Sequence, residues 1–226
     1  DPVDFTATVE AGVVLAALHA ALEPQGLAFN LHLGAEGSAQ IGGLIGTNAG
    51  GSHAMRHGMM EAQVLGLEVV LTDGQVWDGM RALIKDNTGY ALRKLFCGAE
   101  GTLGIVTRAV LRLSPLPCTR ATALLALPDM AEATRLGAVL RRRTGEFLSA
   151  LEFFPEIGLD LLLRHVPSLS RPFDTPGPVY VLAELATSIP GIDLTTVLEE
   201  TLAELMEDGA VTDGVVAANE AQRAAL

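Results

Sequence analysis

An α+β fold built in two consecutive parts is what this chain predicts, and three observations carry the prediction. Residues 34–58 hold eight glycines in 25 positions, although a mid-element glycine costs roughly 0.5–1 kcal/mol against alanine. Val64–Thr72 is a nearly continuous apolar, β-branched run that ends in Asp73-Gly74, a strong short hairpin signal. After Pro117, strand-like and helix-like segments alternate as β-α-β-(α)-β-α-β, an order compatible with a ferredoxin-like layer.

Taken in order, Phe5–Glu10 alternates apolar and polar residues as a half-buried strand does. Leu15, Leu18 and Leu22 then recur at helical spacing until Pro24 and Gly26 stop them. Past the glycine region, Val64–Thr72 and Gln75–Asp78 are the two arms of a hairpin, and Ala91–Phe96 reads as a short helix. Leu103–Leu113 is a second long strand, closed by Ser114-Pro-Leu-Pro117, and a domain boundary falls near residues 114–118. Beyond it, Ala121–Leu127, Leu148–Phe154 and Val179–Leu185 read as strands, and Met130–Arg143 and Ile157–His165 as helices. Leu194, Val197, Leu198, Leu202, Leu205 and Met206 form one helical stripe, with Glu199, Glu200, Glu204 and Glu207 opposite. Val211–Ala217 completes the pattern, and Asn219 is suited to cap a further helix.

With 49% hydrophobic residues the 226-residue chain can bury a substantial core. Its mean hydropathy is +0.36, yet no run approaches the ~18 apolar residues of a spanning helix. Glycine and alanine raise the mean, and a soluble protein is expected. The net charge of −12 would repel a polyanion, which argues against nucleic acid as a partner. Any bound anion must therefore be held locally, by backbone N–H groups and a few arginines. Cys97 and Cys118 show neither CxxC spacing nor a disulfide framework, so a reducing, cytoplasmic compartment is expected.

Glycine lets backbone N–H groups touch a bulky ligand, and the cluster at 34–51 points to a phosphorylated cofactor. Two common nucleotide motifs nonetheless fail. Gly37 and Gly42 have the GxxxxG spacing of a P-loop, but Gly43 and Leu44 stand where Lys and Ser/Thr should follow. Gly98, Gly101 and Gly104 are spaced GxxGxxG and precede a strand, so they are not a Rossmann turn. A dinucleotide held in another fold stays open.

The segments GAEGSAQIGGLIGTNAGG, Arg56-His-Gly58, LGLEVVLTDG (65–74), LIKDNTGYALRKLFCGAEGTLGIVT (83–107) and LRLSPLP (111–117) resemble consecutive motifs of one family. It is the FAD-linked oxidase/dehydrogenase family of the vanillyl-alcohol-oxidase type. The branch most resembled is the D-2-hydroxyacid dehydrogenases, including those for D-lactate, D-2-hydroxyglutarate and glycolate. LSALE (148–152), VYVLAELATS (179–188) and VTDGVVAANEAQ (211–222) resemble the start of that branch's substrate domain. The resemblance implies the second part of a PCMH-type FAD-binding domain over 1–117, followed by the start of a ferredoxin-like substrate domain over 118–226.

It further implies that Gly34, Ala35, Glu36, Gly37, Ser38, Ile41, Gly42 and Gly43 line the flavin and its ribityl-diphosphate arm. Thr47, Asn48, Gly50 and Gly51 would sit under the cofactor. Glu100, Gly101, Gly104 and the main chain at Ile105 would meet the adenine end. The implied chemistry is oxidation of a D-2-hydroxyacid to a 2-oxoacid, with hydride transfer to flavin N5 and a separate electron acceptor. A second copy of the chain is an expected partner. An alcohol or sugar oxidase using O₂, and a non-catalytic module that keeps the fold, are the alternatives. Departures from the pattern are His57, where tyrosine often follows the arginine, and Asn30 and His32, where a proline-aspartate pattern is common. The family's upstream glycine-rich subdomain and downstream histidine-rich metal motif have no counterpart here, so the chain is expected to be the middle of a longer enzyme.

Duller readings stand beside these. Asp73-Gly74 is a turn and nothing more. Arg56 and His57 are either a surface pair or substrate-side residues. His19, His32, His53 and His165 lack HxH or HxxH spacing, so surface or packing roles and no metal are expected. Glu152 and Glu184 interrupt apolar strands, where solvent-facing alternation is the plain explanation. Cys97 reads as a small buried hydrophobe, since no base is recognisable beside it.

Overall fold

Short strands and shorter helices make up the first 116 residues, whereas longer helices on a regular sheet make up the rest. The computed structural model describes residues 1–167, 169, 171, 173 and 177–226, the side chain of residue 224 aside. It divides into two compact units, Asp1–Leu116 and Pro117–Leu226. Among the described residues no helix is long and apolar enough to cross a membrane.

In the first unit, β1 (Thr6–Glu10) leads into α1 (Leu15–Leu22), β2 (Leu27–Ala28) and α2 (Ile41–Gly46). Two single-turn helices follow, α3 (Ala54–His57) and α4 (Met60–Gln63), then β3 (Val64–Leu71), β4 (Val76–Gly79), α5 (Arg93–Phe96), β5 (Gly104–Arg112) and β6 (Ser114–Pro115). The main sheet is antiparallel in the order β1-β5-β3-β4, and β2 pairs separately with β6. The hairpin turns at Asp73-Gly74, where Gly74 takes φ +85° and Asp73 Oδ1 accepts the Gln75 N–H. Pairing of β3 with β5 slips twice, between Val64 and Gly66 and between Glu68 and Val69. Such irregularities bend a strand and sharpen its twist. Leu15, Leu18 and Leu22 bury the face of α1 that their spacing forecast, and they meet Ile41, Leu44 and Ile45 of α2 and Leu67, Val69 and Leu111 of the sheet.

The second unit runs β7 (Thr119–Leu127), α6 (Met130–Thr144), β8 (Leu148–Pro155), α7 (Glu156–His165), β9 (Val179–Thr187), α8 (Leu194–Glu207), β10 (Asp213–Val216) and α9 (Glu220–Ala225). Its sheet is antiparallel in the order β10-β7-β9-β8. That is the ferredoxin-like arrangement, with α7 inserted between the two middle strands in sequence. Leu136 and Leu140 of α6 and Leu198, Leu202 and Leu205 of α8 pack on one face with Leu125, Leu127, Val181 and Leu185. The other face carries Leu124, Ala126, Tyr180 and Leu159 of α7, with Leu226 packed against them. Asp129, Asp193 and Asn219 cap α6, α8 and α9 by accepting N–H groups of the first turn.

This second covered face corrects one expectation. Glu152 is exposed, as alternation suggests, but Glu184 is only 7% exposed. Its carboxylate accepts the Ser149 hydroxyl at 2.8 Å and lies 3.5 Å from Arg120 and 3.6 Å from Arg223 of α9. Alternation sent Glu184 outward correctly, onto a face that α7 and α9 close off from water.

Candidate functional site

The glycines sort by what a Cβ would meet. At Gly42 it would stand 2.7 Å from the Ala11 Cβ, and at Gly51 it would run into the His32 carbonyl. Those two are glycine because the protein's own atoms fill the space. At Gly34, Gly37 and Gly43 a Cβ would meet nothing within 4 Å, and their φ values lie outside the left-handed region. No internal packing explains these three. Gly34 and Gly37 face open surface, and only Gly43 of the three lines a cleft, where a missing side chain lets a ligand approach the main chain closely.

Gly43 opens onto a cleft of about 340 Å³ that Gly42, Gly46, Thr47, Phe96, Glu100, Gly101, Gly104, Ile105 and Val106 also line. Two segments distant in sequence are clamped together there. The Gly98 and Glu100 N–H groups donate to the Ile45 and Gly46 carbonyls at 3.0 and 2.9 Å, satisfying the C-terminal end of α2. Glu100 takes φ +48°, a costly conformation for a residue with a Cβ. Asn48 takes φ +47°, and its side-chain oxygen accepts the Glu61 N–H at 2.9 Å. Thr47 donates its hydroxyl to the Gly43 carbonyl.

Seven of the residues singled out from sequence thus share this cleft: Gly42, Gly43, Thr47, Glu100, Gly101, Gly104 and Ile105. Phe96, Gly46 and Val106 join them without having been singled out. Ile41 is fully buried in the core, so only its main chain is available to a ligand. Gly34, Ala35, Ser38, Gly50 and Gly51 lie outside this cleft, as do Gly37, Asn48 and Glu36. Glu36 accepts a hydrogen bond from the Leu33 N–H and sits against His32 and His19.

Arg56 and His57 line a second cleft, of about 240 Å³, with Asn30, Ala62, Gln63, Arg112, Leu113 and Ser114. Burial first, and then the charges of Arg56 and Arg112 with His53 between them in effect, hold the His57 ring down at about 4. It is therefore neutral at pH 7, and the fixed positive charge of the cleft comes from the two arginines. Arg112 lies in a strand and carried no sequence signal. Asn30 donates to the Ser114 hydroxyl at 3.0 Å, fixing that rim. Cys97 lies beside the first cleft, where burial and then Glu61 push its thiol up to about 11. It is a thiol and not a nucleophile at neutral pH.

Residues 1–79 match the FAD binding domain, and residues 116–226 match the C-terminal domain of FAD linked oxidases. The chain belongs to the FAD-linked oxidase family. Among curated proteins it is 44% identical to the probable mitochondrial D-2-hydroxyglutarate dehydrogenase of Oryza sativa subsp. indica, over 96% of this chain and 39% of that protein. It is 43% identical to the mitochondrial D-2-hydroxyglutarate dehydrogenase of Bos taurus, over 93% of this chain and 38% of that protein. The D-2-hydroxyglutarate dehydrogenase of Xanthomonas citri pv. viticola is 39% identical, over 99% of this chain and 46% of that protein. The chain thus spans about two fifths of the length of the relatives it matches. Among solved structures, an alkyldihydroxyacetonephosphate synthase superposes with a TM-score of 0.72 at 18% identity, covering 95% of this chain and 41% of that one. That likeness speaks to the fold alone. FAD is the cofactor of both matched domains, and the glycine-lined cleft fits a large ligand held against main chain.

Proposed function

We propose that this chain is the central part of an FAD-dependent dehydrogenase that oxidises a D-2-hydroxyacid to a 2-oxoacid. FAD, when bound, supplies the redox chemistry by taking the hydride from the substrate's α-carbon. The single observation that carries the reading is the cleft floored by Gly43, whose missing Cβ no neighbour in the protein demands. Gly42, Gly43, Thr47 and the Glu100–Ile105 segment would hold the cofactor through main-chain groups, with Gly34–Ser38, Asn48, Gly50 and Gly51 extending that surface. Arg56 and Arg112 give the second cleft the charge to hold a substrate carboxylate, with donors from Asn30 and Gln63 beside them. His57, neutral at pH 7, is suited to accept or donate one hydrogen bond there and not to add charge. The FAD-binding domain is read as 1–117 and the substrate domain as 118–226.

The names of the relatives favour D-2-hydroxyglutarate as the acid, and its two carboxylates suit a cleft with two arginines. A reducing compartment suits the two free cysteines; several relatives are named mitochondrial, so the cytoplasmic reading competes with that one. The test uses the intact polypeptide containing this chain, reconstituted with FAD under anaerobic conditions. Adding D-2-hydroxyglutarate, D-lactate or glycolate should bleach the visible flavin band, the first most rapidly. A flavin that no 2-hydroxyacid reduces, or a polypeptide that takes up no FAD, defeats the proposal.

A further inference from the structure

Four of the five histidines stand in a row that their sequence positions conceal. The rings of His19 and His32 are 4.6 Å apart, His32 and His53 4.7 Å, and His53 and His57 6.3 Å. At one end of the row sits a single carboxylate, Glu36. His32 Nδ1 lies 2.9 Å from Glu36 Oε1 and His19 Nδ1 lies 3.5 Å from Glu36 Oε2. The Leu33 N–H donates to Oε1 at 3.2 Å and orients the carboxylate.

From this geometry we propose that His19, His32 and Glu36 form a binding site for a divalent transition-metal cation of the zinc class. Their ligand atoms all lie within 4.8 Å of one another. Two ligands at about 2.0–2.1 Å on a tetrahedral ion stand roughly 3.3 Å apart, and the two nitrogen–oxygen separations, 2.9 and 3.5 Å to the two oxygens of Glu36, bracket that value. His32 hydrogen-bonds Glu36, and His19, which also has a backbone hydrogen bond with Leu31, stands at the 3.5 Å limit of one to the same carboxylate. Two imidazoles and one carboxylate form a borderline donor set that suits Zn²⁺, Co²⁺ or Ni²⁺ over Mg²⁺ or Ca²⁺. Three protein ligands leave a fourth position open to water or a small ligand. The backbone hydrogen bond from Leu33 is the kind of outer support that ligating carboxylates receive.

The site joins elements that the sequence holds apart. His19 is on α1, whereas His32 and Glu36 flank the start of the loop that carries Gly34 and Gly37. A bound cation, held by the side chains of His19, His32 and Glu36, would pin that loop to the helix. Arg56 and Arg112 are grouped with His57, at the far end of the row from Glu36, so the cation would enter at the acidic end.

The test is titration of tag-free, chelator-treated protein with Co²⁺, followed by visible d–d absorption, and with Zn²⁺ by calorimetry. The expected result is one equivalent of Co²⁺ in a four- or five-coordinate spectrum, displaced by Zn²⁺. Loss of an outer-shell partner typically costs about 10–100-fold in metal affinity, so Glu36→Gln, which keeps an acceptor for Leu33, should cost at least about 100-fold. His32→Asn should do the same, and circular dichroism checks that each variant is folded. If either fails to fold, His19→Asn replaces it. His165→Ala, at an exposed position in the second unit, should leave binding unchanged. No cobalt spectrum and no heat, binding that survives Glu36→Gln and His32→Asn, or binding abolished by His165→Ala would each overturn the site.

Discussion

The two units solve the same problem, covering one sheet with helices, by opposite means. In Pro117–Leu226 the helices covering the sheet's main face, α6 and α8, run 15 and 14 residues, and a side chain caps each. In Asp1–Leu116 the helices run four to eight residues, and none of α1 to α5 has a side-chain cap. Its three non-glycine residues at positive φ, Phe5, Asn48 and Glu100, are the only such residues in the described chain. Helices that short gain little from their own hydrogen bonds and depend on tertiary packing. The second unit is thus organised by local sequence, and the first by close backbone approach around a cleft. Of the three positive-φ residues, Glu100 lines the cleft proposed to hold the cofactor.

That contrast can be broken by substitution, and Trp77, the single tryptophan, reports on the first unit alone. The largest effect belongs to Gly51→Ala, whose Cβ would enter the His32 carbonyl. Overpacking against backbone should remove about 3 kcal/mol or more, read as a lowered urea midpoint in Trp77 fluorescence. In the second unit, Glu184→Ala takes the buried carboxylate away from Arg120 and Arg223 and removes one of the two Ser149 acceptors, the main-chain carbonyl at 184 remaining. A loss of about 2 kcal/mol is expected by circular dichroism, with Glu184→Gln losing less. A loss under about 0.5 kcal/mol would mean that the covered face is wet.

Gly43→Ala sharpens the comparison, because it should separate folding from binding. In the interior of α2, alanine in place of glycine should stabilise by about 0.5–1 kcal/mol, since the new methyl meets nothing. The same methyl should weaken FAD at least about tenfold, or roughly 1.4 kcal/mol, by flavin fluorescence quenching. Unchanged FAD affinity would show that the cofactor lies elsewhere. The smallest effect is acid sensitivity. His57 is neutral in the fold down to about 4, whereas an unfolded histidine protonates near 6.5. Between those values the unfolded chain takes up a proton that the fold refuses, so stability falls as pH drops from 6.5 toward 4 and is flat above. His57→Asn in chelator-treated protein should make that slope shallower in pH-dependent urea melts.

Most elements were legible because their signals are local. The Leu15/Leu18/Leu22 stripe, the Asp73-Gly74 turn and the Asn219 cap each rest on a few neighbouring residues, and each stands where the spacing put it. Seven of the residues singled out in the glycine segments do share one cleft, although sequence could not separate Gly43 from Gly51; that distinction needs the identity of the neighbouring atom. The histidine row was not legible. Residues 19, 32, 53 and 57 come from α1, the loop after β2 and the start and end of α3, so no spacing rule connects them. Arg112 was missed because an arginine on a strand looks like any solvated charge. Glu184 was misjudged because alternation reports direction along a strand and says nothing of what lies over that face.

Glu100 adds one more implication. Its backbone occupies a region where glycine is comfortable and a glutamate costs on the order of 1–3 kcal/mol. Two glycines, Gly98 and Gly101, stand within three residues of it, so glycine is plentiful in this loop. A chain that nevertheless keeps an acid on the lip of its cleft is retaining a carboxylate against the preference of its own main chain, and Glu100→Gly should yield a hardier protein that has given up whatever that charge repels or receives.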